Sequence, residues 1–131
     1  MKKLLFIFVA LGALVLGSFC WQANAGSAAK LQQAVTRFDK PVIVHGVVLP
    51  PGVYLFMHDD IAMMRGDACS YVYKGDAQDK DKLVVSFHCT PAERRKADSF
   101  VVRSAEPSPG VVVLREFQFK GDTEAHLIPT P

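Results

Sequence analysis

Short runs of β-branched and aromatic residues, separated at near-regular intervals by turn formers, constrain this chain more than any other feature. Val35–Phe38, Val42–Leu49, Val53–Met57, Cys69–Lys74, Leu83–His88, Ser99–Arg103, Val111–Phe119 and Ala125–Ile128 all have this texture. Leu49-Pro50-Pro51-Gly52, the polar loop Gly75–Lys82 and Glu106-Pro107-Ser108-Pro109-Gly110 supply the breaks. Eight short strands with such spacing predict an all-β domain, an antiparallel β-sandwich or small barrel. One short helical turn is expected at Thr90-Pro91-Ala92-Glu93, which matches a capping box with proline at the first helical position.

The segment before these runs has a different character. Lys2 and Lys3 precede an apolar stretch, Leu4–Leu16, and Ala23-Asn24-Ala25 follows. That order of charged, apolar and small residues predicts a secretory signal peptide over 1–25, cleaved after Ala25. The apolar stretch is shorter than the roughly 20 residues of a spanning helix, so no membrane span is expected after cleavage. Phe19 and Gly17 are poor flanks for lipid attachment at Cys20. Residues 26–34 read as a flexible tail or short helix, and 35–131 as one β domain, secreted or periplasmic.

Removal of the leader changes the charge and cysteine arguments. Of 15 Lys and Arg, Lys2 and Lys3 leave with it; the other 13 balance 13 Asp and Glu. A near-neutral domain with no basic stripe gives no electrostatic basis for nucleic-acid binding. Cys69 and Cys89 remain, at the outer ends of two runs that fold into a hairpin about Gly75–Lys82. A disulfide between them is expected in an oxidising compartment, closing a loop of about 20 residues and worth about 3 kcal/mol. The alternative is two buried free thiols.

No catalytic constellation is legible. There is no G-x-S-x-G, no phosphate-cradling glycine loop, and no zinc-type spacing among His45, His58, His88 and His126. His58-Asp59-Asp60 is the densest polar cluster and offers nitrogen and oxygen donors to a divalent metal, although a solvated loop explains it equally. Met57, Met63 and Met64 lie near it and suit copper, or simply fill apolar gaps. The sequence therefore predicts a non-enzymatic β domain without cofactor, with a structural or binding role. Self-association or capture of a cell-surface component through an exposed strand edge would suit it. Small-ligand or copper/zinc binding at His58, Asp59 and Asp60 is the alternative.

Phe38-Asp39-Lys40-Pro41-Val42, then Leu49-Pro50-Pro51-Gly52-Val53-Tyr54-Leu55-Phe56, and finally Phe119-Lys120-Gly121-Asp122 with His126, form a recognisable pattern. It resembles a group of small, mostly uncharacterised secreted proteins abundant in acidobacteria, with an F-x-x-P-V … L-P-A-G-x-Y-x-F start and an F-x-P-G-D-x-x-G-H finish. The resemblance implies a secreted β domain and adds no chemistry. Lys120 stands where that group commonly has proline, and the cysteine pair is a further departure.

Overall fold

The computed structural model describes residues 28–131; the leader expected over 1–25 lies outside them. Ten strands form two sheets. Sheet A has four: β1 (Leu31–Phe38), β4 (Gly52–Asp59), β5 (Ser70–Lys74) and β6 (Leu83–Phe87), in that spatial order and antiparallel throughout. Sheet B has six: β2 (Val42–Val44), β3 (Val47–Leu49), β7 (Thr90–Glu93), β8 (Val101–Ser108), β9 (Val111–Gln118) and β10 (Glu124–Leu127). The sheets face each other as a sandwich and do not close into a barrel. No described helix is long and apolar enough to cross a membrane.

β9 organises sheet B. β8 pairs along one side of it. The other side is shared by β2, in parallel at Ile43↔Val113, and by β10, antiparallel from Leu127↔Glu116 to Ala125↔Gln118. Along the continuously apolar run Val111–Leu114 only Leu114 is buried; Val112 and Val113 are half-buried and Val111 is exposed.

Three local expectations are corrected. Thr90–Glu93 is strand β7, because its backbone pairs with β10 from Leu127↔Thr90 to Glu124↔Glu93; that ladder outweighs the local capping-box signal. Pro91 is tolerated because β7 is the edge of the sheet. The helix lies instead at Asp60–Met64 (α1), where Asp59 Oδ1 accepts hydrogen bonds from the Ile61 and Ala62 amides. The run Val42–Leu49 folds back on itself at His45-Gly46, both with positive φ, to give the β2–β3 hairpin.

The core between the sheets is aromatic. Phe117 is fully buried, with ring centroids of Phe56 at 5.5 Å, Phe119 at 5.7 Å, Phe100 at 6.3 Å and Phe87 at 6.4 Å. Strict alternation places Tyr54, Phe56 and His58 of β4 on the inner face. Leu55 and Met57 point the other way and cluster with Tyr73.

One buried charge lies on β9. Glu116 accepts from Arg94 at 2.7 and 3.1 Å and from Arg103 at 2.7 Å. Arg94 holds its carboxyl below the ordinary value of 4.5, with Arg103 adding to the effect against the cost of burial. A lowered folded-state value means stabilisation is complete above pH 4.5 and is lost as pH falls through that lowered value. Both arginines remain about two-fifths exposed, which screens the pairs. Glu116→Gln should cost about 1–2 kcal/mol at pH 7 and flatten the acid limb of a stability–pH curve, measured by urea unfolding between pH 3 and 7. An unchanged acid limb would show that Glu116 is not the responsible group.

Candidate metal centre

Four side chains converge at one end of the sandwich. His58 comes from the end of β4, Cys69 from the residue before β5, Cys89 from the residue before β7, and His126 from β10. Both sheets thus contribute. All four are buried, none more than 1% exposed.

Local folding fixes each one. His58 continues the inward alternation of Tyr54 and Phe56, and its register partners are Gln32 on β1 and Ser70 on β5. Cys69 is held by hydrogen bonds from its own amide to Phe87 O, at 3.1 Å, and from the Asp59 amide to Cys69 O, at 2.9 Å. His126 lies opposite Phe117 and Pro91 in the β10 ladders, and its ring stacks on Phe117 with centroids 5.0 Å apart.

The donor atoms are close. Cys69 Sγ and Cys89 Sγ are 3.4 Å apart, and one donor atom each from His58, Cys69 and Cys89 lie within 4.8 Å of one another. His126 Nδ1 is 3.5 Å from Cys89 Sγ, and the His58 and His126 ring centroids are 4.0 Å apart. A tetrahedral zinc with sulfur at about 2.3 Å and nitrogen at about 2.0 Å requires donor separations of roughly 3.3–3.8 Å.

The sulfur separation is that of an unbonded pair. Bonded sulfurs lie about 2.05 Å apart, and here both cysteines are free thiols. The hairpin brings the two positions together as expected, without joining them.

Polar satisfaction is poor at this one place. His58 Nδ1, His58 Nε2, Ser70 Oγ and His126 Nε2 are buried side-chain atoms without a hydrogen-bond partner. Asp60 Oδ1 comes within 3.2 Å of His58 Nδ1, but off the direction of a good hydrogen bond. Buried polar atoms are ordinarily paired, because leaving one unpaired costs about 1–3 kcal/mol. Finding them gathered around two thiols points to a shared partner.

Electrostatics suits a cation. Burial lowers the His58 pKa, against the pull of Asp60 and Asp59. His126 is lowered to about 4, by burial and then by His58 beside it. Both rings are therefore neutral at pH 7, with lone pairs to donate. Burial pushes the Cys89 thiol up to about 12, so it holds its proton until a cation displaces it.

The acidic residues beside His58 take other roles. The Asp59 carboxylate is committed to the α1 N-cap. Asp60 Oδ2 accepts from the Lys30 amide at 2.8 Å, and its Oδ1 lies 3.2 Å from His58 Nδ1. His58 is not in a solvated loop but fully buried. Met57 faces away with Leu55 and Tyr73, Met63 packs against the main core, and Met64 is exposed. Of the other two histidines, His45 is remote, with Nδ1 on Pro129 O at 2.9 Å, whereas His88 Nδ1 contacts Asp67 O at 2.9 Å and lies 4.0 Å from Cys69 Sγ at the border of the site.

Sequence reasoning counted His126 among the four histidines but connected neither it nor His58 to the cysteines. The alternation Tyr54-x-Phe56-x-His58 carried a signal for His58. Nothing local marked His126, whose place depends on which strands flank β10. Comparison with known protein families, curated proteins and solved structures gives no match.

Proposed function

We propose that this protein is an exported, non-enzymatic β domain that holds one thiophilic metal ion, Zn²⁺ or Cu⁺, between its sheets. Cys69 and Cys89 would bind as thiolates, with His58 and His126 as imidazole ligands. The observation that carries this reading is the group of unpartnered imidazole nitrogens around a free thiol pair in a fully buried setting. Two soft sulfurs favour Zn²⁺ and Cu⁺ over Mg²⁺ or Ca²⁺.

Burial of all four ligands supports retention over catalysis, since a catalytic ion needs an open coordination position. Export rests on the leader pattern and on the resemblance of the mature sequence to small secreted proteins. A Cys69–Cys89 disulfide is the competing use of the same sulfurs; it would leave the imidazole nitrogens without partners.

Native mass spectrometry of the reduced protein supplied with equimolar Zn²⁺, or with Cu⁺, tests the reading. One retained ion is expected, lost in Cys69→Ser/Cys89→Ser and weakened in His126→Ala. Reduced wild-type protein that retains neither ion would overturn it.

A further inference from the structure

A polar surface cavity lies next to the buried donors, with Asp60 between it and His58. Lys30, Gln32, Asp60, Asp122, Thr123 and Glu124 line a space of about 240 Å³. Three of these are carboxylates, and a carboxylate cluster alone identifies nothing. Here a second feature connects it to the interior. His58 Nδ1, buried and without a hydrogen bond, lies 3.2 Å from Asp60 Oδ1 on the cavity wall. Gln32, on the same wall, is the cross-strand partner of His58.

The start of β1 spans this cavity. Lys30 Nζ lies 3.2 Å from Asp122 Oδ1, and Gln32 Nε2 donates to Asp122 Oδ2. The Lys30 backbone is fastened to Asp60 through its amide and carbonyl, at 2.8 and 3.0 Å. Gln32 of β1 and Lys30 just before it thus meet one carboxylate on the loop before β10 of sheet B. Glu124, on the same cavity wall, forms no ion pair among the described residues.

We infer that this cavity is the route by which a metal cation reaches His58 and the two thiols, with Lys30 and Gln32 closing it by holding Asp122. The inference rests on the metal-binding reading above. The physical logic is direct. A fully buried site exchanges its ion only if some wall opens, and this wall is held by side-chain contacts of which Lys30 is half exposed. Carboxylates at the mouth attract a divalent cation and raise its local concentration. The cavity offers carboxylate oxygens, and behind the Asp60 wall lie the His58 imidazole and then the two thiols.

Opening the wall should accelerate loading and release together and leave the equilibrium constant unchanged. The probe is Zn²⁺ alone, with loading followed by stopped flow and release followed by transfer to excess EDTA. In Lys30→Ala/Gln32→Ala, both rates should rise about fivefold, with Kd within about twofold of wild type, and Lys30→Arg should retain wild-type rates. Glu124→Gln should slow loading at low ionic strength and weaken its salt dependence.

Zinc bound with wild-type affinity but with rates unchanged in all variants would overturn the route and leave the site intact. A Kd that moves with the release rate while loading is unchanged would make Lys30 and Gln32 mere supports of the ligands, and would also overturn it. Failure of wild-type protein to bind zinc or Cu⁺ at all would instead remove the metal site itself.

Discussion

Saturating Zn²⁺ should raise the thermal midpoint of the reduced protein by about 10–20 °C, and Cys69→Ser/Cys89→Ser should abolish the shift. An ion that binds only the folded state stabilises it by about 2.7 kcal/mol at a hundredfold excess over Kd. In a domain of this size each kcal/mol moves the midpoint by about 4–8 °C. The effect should be large here for a structural reason. The four proposed ligands come from separate stretches of chain, so the unfolded polypeptide would have no preformed site to compete for the ion. The ion would also satisfy nitrogens that otherwise lie buried without partners. Calorimetry in the presence of a non-thiol reductant checks this. The reductant matters, because a disulfide would stabilise the fold by about 3 kcal/mol without metal and so raise the midpoint by itself. Equal midpoints for wild type and the double serine variant in excess zinc would count against the proposal.

Phe117→Ala should be the most damaging single change in the core, costing about 3–5 kcal/mol. Its ring is fully buried, meets four other phenylalanines across both sheets, and also supports His126. Total stability of a domain is only about 5–15 kcal/mol, so a large share would go. Because the cavity would open beside the His126 ring, zinc affinity should fall as well. Urea unfolding of Phe117→Ala and Phe117→Leu, each with and without zinc, separates packing from ligand support. Leucine should recover much of the stability. Alanine tolerated with an unchanged urea midpoint would contradict the packing argument.

The β character and most strand positions were legible because burial forces a period of two, and because proline and glycine mark the turns between runs. Legibility failed where pairing partners decide the outcome. Thr90–Glu93 carries good helix-start residues and yet is a strand, since β10 offers its backbone a ladder. Leu31–Ala34 looked like tail or helix and extends β1, because β4 supplies partners as far as Asp59. The proximity of Cys69 and Cys89 could be anticipated, for it follows from one local hairpin. The addition of His126 could not, because it requires knowing that β10 runs between β9 and β7. Local patterns specify faces; the site depends on neighbours far apart in sequence.

The interior position of β10 bears on when the domain can assemble. The final strand of the chain is not an added edge but the link between β9 and β7. A polypeptide emerging amino-terminus first can form the β4–β5–β6 meander early, whereas β7 has no ladder partner until residues 124–127 arrive. Distant pairings of this kind slow folding into the millisecond-to-second range. His126 travels on β10, so an ion held by all four ligands would report that β10 has joined the sheet: polypeptides truncated before it would lack the fourth ligand and the strand that joins β7 to its neighbours.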